Sequence, residues 1–168
     1  MTRSVLIVWH SRTGAARQMA HAMAEGAAQA ARDMGEDCHV VWRDAGQVTC
    51  QDMMRADGYA FCAPENLASL SGEMKAFFDR HYYDLLDAVA GRPYVAGISA
   101  GSDGESAARQ VTRICTGWRL TPLTQPLIVR THAQTPEAIL APKTLDATAR
   151  ESCMGLGGLL AATLLLGS

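Results

Sequence analysis

Short apolar runs alternate with segments of helical period along this chain, and this alternation limits the folds it can adopt. Residues 5–9, Val-Leu-Ile-Val-Trp, form an uninterrupted apolar run, which is typical of a strand buried on both faces of a parallel sheet. Apolar residues then recur at spacings of three and four, which predicts a helix with one buried face. That face consists of Ala16, Met19, Ala20, Met23, Ala27, Ala30 and Ala31. Gly35 is expected to end this helix.

The same alternation continues along the chain. Further strands are predicted over residues 38–42, 58–63, 94–98 and 127–129, and residues 118–120 could add a short extra strand. Connecting helices are predicted over residues 51–56, 71–85 and 105–115, and a last helix begins between residues 136 and 143. Ser71 is expected to cap the third helix, and Gly91 to stop this helix before the next strand. Strands that alternate with helices imply right-handed crossovers and a parallel sheet covered on both faces.

Length and composition limit the possible classes of protein. A chain of 168 residues fits one domain, residues 1–168. With 48% hydrophobic and 19% charged residues, it has enough apolar material for a core. The net charge of -2 and the absence of blocks of like charge disfavour nucleic acid as a partner.

The cysteines and the apolar segments indicate the cellular compartment in which we expect the protein. The five cysteines are scattered and form no C-x-x-C pair, which predicts reduced thiols and no metal site. The amino-terminal apolar run is too short for a signal sequence, so we expect a cytoplasmic protein. Residues 152–168 carry no charge, but their apolar stretch, 153–166, is shorter than the roughly 20 residues that span a bilayer. A buried helix is therefore predicted, with no membrane insertion.

The residues most suited to ligand binding follow the first, third and fourth predicted strands, in loops 10–16, 64–71 and 99–105. In an open parallel sheet, ligands bind beyond the carboxyl ends of the strands. Ser11 and Thr13 supply hydroxyls, Gly14 permits close approach, and a helix N-terminus follows, which together predict an anion site. The alternative is that Ser11 and Thr13 simply cap the helix. The chain contains no G-x-G-x-x-G in this loop and no Gly-Lys pair, so a terminal monophosphate fits better than a pyrophosphate or triphosphate.

These residues resemble those of the flavodoxin-like flavoproteins. Ser11-Arg12-Thr13-Gly14-Ala15-Ala16 matches the family's phosphate loop, [ST]-x-T-G-x-[ST], except at Ala16. Residues 56–64, ADGYAFCAP, and 69–80, SLSGEMKAFFDR, are similar to the A-D-G strand, proline loop and M-K-x-F-x-D-R helix of the branch containing NAD(P)H-dependent FMN reductases and flavodoxin-fold quinone reductases. The resemblance implies a three-layer α/β/α, doubly wound fold with five parallel strands in the order 2-1-3-4-5.

The resemblance also implies FMN as the cofactor, bound by the three loops. The cofactor-binding residues that it implies are Ser11, Arg12, Thr13, Gly14, Ala15, Ala16, Pro64, Glu65, Asn66, Leu67, Ala68, Ser99, Ala100, Gly101, Ser102, Asp103 and Gly104. No side chain is expected to be catalytic, because the cofactor carries the chemistry. His10 and His81 are candidates for proton transfer, but we interpret both as structural. Ser102 or Asp103 is also expected to cap the following helix.

The second and third loops contain no aromatic residue. In the family, electron-carrying flavodoxins usually enclose the flavin between aromatic rings and have a strongly acidic surface. We therefore expect an open flavin face and favour two-electron reduction of a quinone, a flavin or a similar small acceptor, with NAD(P)H as the donor. The alternatives are a flavodoxin that carries single electrons to protein partners, and a binding module that has lost its flavin, for which Ala16 is the only hint. The apolar last helix also permits a homodimer contact.

Overall fold

The structure is a computed structural model and describes residues 1–167. Its strands are β1 (Arg3–Trp9), β2 (Cys38–Asp44), β3 (Gly58–Asn66), β4 (Ser69–Leu70), β5 (Pro93–Ala100), β6 (Thr121–Pro122) and β7 (Leu127–Arg130). Its helices are α1 (Ala15–Met34), α2 (Cys50–Arg55), α3 (Gly72–His81), α4 (Glu105–Gly117), α5 (Pro136–Leu140) and α6 (Ala147–Leu166).

The parallel sheet has the order β2-β1-β3-β5, with β6 and β7 both paired to β5. β6 pairs with the start of β5, at Pro93 and Tyr94, and β7 pairs with its end, from Gly97 to Ala100. Because β3 occupies the other edge of β5, β6 and β7 share the fifth position of the sheet. This arrangement confirms the predicted flavodoxin-like order, and the short β4 is a hairpin turned back on β3.

Helices cover both faces of the sheet and complete the three layers. One apolar cluster joins the sheet to α2, α3 and α4, and includes Met74, Phe77 and Phe78. The second cluster joins the opposite face to α1 and α6 through Met19, Met23, Leu160 and other residues. Burial on both faces explains why the central strands are continuous apolar runs.

Helices α1 and α6 pack with their backbones in close contact. A Cβ on Gly157 would lie 1.8 Å from the carbonyl oxygen of Met23, and one on Gly26 would lie 1.9 Å from that of Met154. Gly26 of α1 and Gly157 of α6 therefore permit the close packing of the two helices. Among residues 1–167, α6 is the one helix long and apolar enough to cross a membrane, a property that it shares with core helices of soluble proteins.

Three sequence-based boundaries were wrong. Helix α3 ends at His81 instead of continuing to Leu85, which is nevertheless buried in the following turns. The extra strand lies at Thr121–Pro122 and not at residues 118–120, because Trp118 ends α4 and packs on Phe78. The last helix begins at Ala147, and the separate helix α5 occupies part of the region where it was expected to begin.

All five cysteines are free thiols, as predicted. Cys62, Cys115 and Cys153 are buried, and desolvation raises the pKa of each thiol, that of Cys153 to about 12. Since the thiolate is the reactive form, these three cysteines are inert core residues.

Candidate functional site

The loop after β1 places a helix N-terminus without a side-chain cap at the carboxyl edge of the sheet. Gly14 is the N-cap residue of α1 and has a φ of +102°. It makes no side-chain hydrogen bond that would cap the helix. The Ser11 hydroxyl instead accepts a hydrogen bond from the Gly14 amide at 3.1 Å. The first amides of a helix have no partner within it, so those of α1 remain available to a ligand. The plain-capping interpretation of Ser11 and Thr13 was therefore wrong.

Other helices of the same chain do carry caps. The side chains of Thr49, Thr135 and Asp146 accept amide hydrogen bonds at the N-termini of α2, α5 and α6. The terminus of α1, like that of α3, differs from these three in having no side-chain cap, and it lies at the point where anion binding was predicted.

A cavity of about 350 Å³ lies beside this terminus, within the size range of ligand sites. Its lining contains nine of the predicted site residues: Thr13, Ala15, Pro64, Glu65, Asn66, Leu67, Ser99, Ala100 and Gly101. The other eight predicted residues lie outside its lining: Ser11, Arg12, Gly14, Ala16, Ala68, Ser102, Asp103 and Gly104. The three predicted loops therefore meet, and each contributes to the same cavity.

The second loop is a tight hairpin between β3 and β4. Its turn residues Leu67 and Ala68 have φ values of +51° and +61°, a region that is unfavourable for residues with a side chain. The Leu67 side chain is fully exposed at the rim of the cavity. The amide of Ser71 donates to the carbonyl oxygen of Pro64 at 3.1 Å and closes the base of the hairpin.

Glu65 holds the second loop against the third. Its carboxylate accepts hydrogen bonds from the amides of Gly104 and Ala107 at 2.9 and 3.0 Å. Asp103 was expected to cap α4. Its carboxylate accepts only one longer hydrogen bond, of 3.4 Å, from the amide of Glu105. The main cap of α4 is therefore supplied by a loop that is distant in sequence, and the carboxylate of Glu65 is already occupied.

The third loop is fixed by the segment after β7, which sequence reasoning missed. The amides of Thr131 and His132 donate to the carbonyl oxygens of Ala100 and Gly101, both at 2.8 Å. A Cβ on Gly101 would lie 2.9 Å from the carbonyl oxygen of Ala133. The cavity lining accordingly includes Thr131, Ala133, Ile139 and Lys143, which were not predicted. The available signal was topological, because the loop after the fifth strand ends at the same sheet edge.

His10 and Ser71 form a buried pair behind the phosphate loop. His10 Nδ1 lies 2.8 Å from the Ser71 hydroxyl, and His10 Nε2 lies 3.6 Å from a Glu73 carboxylate oxygen. The Glu73 backbone amide, together with His10 and Arg12, lowers the pKa of the Glu73 carboxyl. Ser71 is fully buried, so this group is no nucleophilic triad. Ser71 occupies the N-cap position of α3 without the predicted side-chain cap, because its hydroxyl bonds to His10.

His81 lies away from the cavity, in the apolar core. Its Nε2 is 3.0 Å from the carbonyl oxygen of Val48, and its ring packs edge-on against Phe77. Burial lowers the pKa of His81. Neither His10 nor His81 belongs to the cavity lining.

Comparison with known proteins places this arrangement in a family. Residues 35–134 match the family model of NADPH-dependent FMN reductase. The chain is 35% identical over 100 residues to a flavodoxin of Aquifex aeolicus strain VF5, an alignment that covers 60% of this chain and 51% of that protein. The chain thus matches about half the length of that relative.

Solved structures share the fold. An oxidoreductase from Corynebacterium diphtheriae superposes with a TM-score of 0.76 at 19% identity, covering 99% of both chains. A flavodoxin from the domain Archaea gives a TM-score of 0.71 at 16% identity, covering 96% of this chain and 99% of that one. With more than half of its residues matched to the family model, this chain belongs to the flavodoxin-like, FMN-binding family of NADPH-dependent FMN reductases.

Proposed function

We propose that this chain binds FMN in the cavity beside α1 and uses NAD(P)H to reduce a small acceptor by two electrons, such as a quinone or a flavin. The observation that carries the proposal is the combination, in one cavity, of an uncapped helix N-terminus with walls that contain no aromatic side chain. The first feature suits a phosphate group. The second leaves room for another planar molecule beside the flavin.

The residues present fit FMN. The amides of Ala15 and Ala16 and the hydroxyl of Thr13 would hold the phosphate, and residues 64–67 and 99–101 would lie along the ring. Ala16 lacks the hydroxyl of the family pattern, a loss of about 1 kcal/mol of binding free energy that leaves the amides unchanged. When bound, FMN supplies the hydride chemistry, while the protein positions the ring and controls access to it.

The rim of the cavity indicates the kind of acceptor. Leu67 and Ile139 are exposed apolar residues that also line the cavity. The Lys143 ammonium is bound by the carbonyl oxygens of Ile139 and Ala141 at 3.0 and 2.5 Å, so part of its hydrogen-bonding capacity is used internally. This rim favours a planar apolar acceptor over a multiply charged one.

The test is titration of the apo-protein with FMN, followed by flavin fluorescence, and then anaerobic addition of NADPH or NADH. We expect saturable binding and rapid bleaching of the flavin absorbance, and turnover when a quinone is added. The double variant Thr13→Val, Gly14→Leu is expected to abolish FMN binding. Full flavin occupancy in that variant would show that the site is assigned wrongly.

A second candidate is an electron carrier, favoured by the identity of 35% to a flavodoxin. A carrier would bind FMN with the same dependence on Thr13 and Gly14 but would leave NADPH and NADH unoxidised. A colourless protein that cannot be reconstituted with FMN would instead indicate a module that has lost its flavin.

A further inference from the structure

A second cavity, of about 380 Å³, lies on the other side of the phosphate loop. Its lining includes Gly14, Arg17, Gln18, His21, Trp42 and Arg150. Gly14 and Gln18 separate it from the FMN cavity, since the Gln18 amide nitrogen donates to the carbonyl oxygens of Gly14 at 3.0 Å and Lys143 at 2.6 Å. Apart from Gly14, the proposed flavin site uses no residue of this second cavity.

Trp42, which lines the second cavity, belongs to a layer of aromatic rings. The indole rings of Trp9 and Trp42, on adjacent strands β1 and β2, are stacked with centroids 5.1 Å apart and planes inclined by 26°. His21 of α1 meets Trp42 edge-on at 5.7 Å. Stacked indoles of this kind make a rigid and partly exposed apolar surface.

Arg17 lies over both indoles with its hydrogen-bond donors unused. Its guanidinium carbon is 5.5 Å from the centroid of Trp9 and 5.6 Å from that of Trp42, within the range of a cation–π contact. Over residues 1–167, this side chain makes no hydrogen bond or ion pair. A guanidinium that is held in place and has free donors can bind phosphate through two parallel hydrogen bonds, and its planar face can stack on an aromatic base.

The surrounding charges leave Arg17 uncompensated. Arg150 forms an ion pair with Glu25, and His21 Nδ1 is 3.8 Å from the same carboxylate. Glu25 is therefore engaged by Arg150 and His21, while Arg17 has no acidic partner. The cavity has a positive balance and favours an anionic ligand.

We propose that this second cavity binds the adenosine phosphate half of a dinucleotide. The base would stack on the layer formed by Arg17 and Trp42, and a phosphate would accept hydrogen bonds from Arg17. Two dinucleotides carry this half. FAD would place its flavin in the first cavity and extend past Gly14, whereas NADPH would place its nicotinamide there beside bound FMN. Only the choice of dinucleotide rests on the proposed function.

The first experiment is calorimetric titration of the protein with AMP, both as apo-protein and after saturation with FMN. We expect AMP to bind in both states, to quench indole fluorescence, and to bind at least roughly tenfold more weakly to Arg17→Gln. Arg113→Gln is the matched control, because Arg113 is an exposed arginine of α4 on the opposite face of the sheet. Urea unfolding of both variants shows whether the substitutions leave the fold intact.

Three results would overturn the proposal. The first is that AMP binding cannot be detected. The second is that FMN displaces AMP, which would place AMP in the phosphate loop. The third is that the wild type and Arg17→Gln bind AMP with equal affinity. Because AMP binding to the apo-protein does not need flavin, failure of FMN to bind would refute the proposed function without deciding this inference.

Two further titrations distinguish FAD from NADPH as the dinucleotide whose adenosine half occupies the cavity. If Arg17→Gln weakens binding of FAD and leaves FMN affinity unchanged, the cavity holds the adenosine half of FAD. If the variant instead weakens binding of NADP⁺ to the FMN-loaded protein, the cavity holds the adenosine half of the electron donor. If Arg17→Gln leaves the affinities for FAD and for NADP⁺ both unchanged, the assignment to a dinucleotide is contradicted.

Discussion

The side-chain amide nitrogen of Gln18 lies 2.6 Å from the carbonyl oxygen of Lys143, a residue 125 positions further along the chain. The Gln18 amide oxygen accepts a hydrogen bond from the Leu145 amide at 3.1 Å. The Lys143 amide in turn donates to the carbonyl oxygen of Thr13 at 2.7 Å. One glutamine of α1 thus ties the segment before α6 to the phosphate loop and forms the wall between the two cavities.

Substituting Gln18 with Leu is expected to loosen this segment. The carbonyl oxygen of Lys143 and the amide of Leu145 would each lose their partner, at a cost of about 1–3 kcal/mol. We expect faster hydrogen exchange at the Leu145 amide and several-fold weaker FMN binding. Gln29→Leu, an exposed position on the same helix, serves as the control. Unchanged exchange at Leu145 would show that Gln18 does not hold the segment.

Gly14→Ala tests the phosphate loop with a small change. Gly14 has a φ of +102°, and a Cβ there would lie 3.4 Å from the Gln18 amide nitrogen. Gly35 provides a matched control, since its φ is +69° and nothing lies within 4 Å of the added Cβ. Both variants should lose about 1 kcal/mol of unfolding free energy. Only Gly14→Ala should weaken FMN binding, as measured by fluorescence titration, and equal FMN affinities would place the phosphate elsewhere.

The sequence predicted the sheet well because its strands are buried on both faces. Runs such as residues 5–9 and 58–63 have no polar residue that could face solvent, so the strands followed from the pattern alone, while their order was what the family resemblance implied. The three loops that end these strands were located for the same reason. The predicted element boundaries were wrong at Leu85 and Trp118, whose buried apolar side chains lie outside any helix or strand. A buried apolar side chain does not show whether its backbone makes helical hydrogen bonds.

The missed parts of the site depend on contacts between residues distant in sequence. Gln18, Thr131 and Lys143 belong to no motif, and their roles arise from hydrogen bonds to distant backbone groups that a linear pattern cannot show. Glu65 was located in the correct loop, but its carboxylate binds the N-terminus of α4, 39 residues away. Sequence patterns therefore located the loops, while the side chains that lock them together required the structure.

Glu65→Gln is expected to destabilise the protein through α4. The carboxylate accepts two amide hydrogen bonds at the positive end of that helix, and neutralising it removes charge-assisted bonds worth about 1–2 kcal/mol. Urea unfolding measures the change. Glu36→Gln, at an exposed position, should stay within about 0.5 kcal/mol of the wild type. Equal stability of the two variants would refute the capping role of Glu65.

Gly157→Ala tests the contact between α1 and α6. The added Cβ would lie 1.8 Å from the Met23 carbonyl oxygen, whereas a Cβ on Gly155 of the same helix would meet nothing within 4 Å. We expect Gly157→Ala to cost about 3 kcal/mol of unfolding free energy, because two helix backbones must separate. Gly155→Ala should be neutral or stabilise by up to about 1 kcal/mol, since alanine favours helix. Similar thermal midpoints for the two variants would contradict the close packing.

His81 predicts how stability depends on pH. The Val48 carbonyl oxygen can only accept a hydrogen bond, so His81 Nε2 carries the proton, and the buried Nδ1 has no partner among residues 1–167. Burial lowers the pKa of His81 in the folded state, whereas the unfolded chain takes up a proton near pH 6.5. The unfolded state therefore binds more protons below that pH, and stability should fall as the pH decreases from 6.5, by up to about 1.4 kcal/mol per pH unit.

Urea unfolding at pH 7.5 and 5.5 measures this dependence. His81→Gln keeps a donor for Val48 but cannot be protonated, so the loss of stability between the two pH values should be smaller than in the wild type. His39→Gln, at an exposed position on β2, should keep the wild-type difference. If His81→Gln and His39→Gln lost the same stability on acidification, the pH dependence would come from groups other than the buried imidazole, and the neutral state of His81 in the core would not contribute to it.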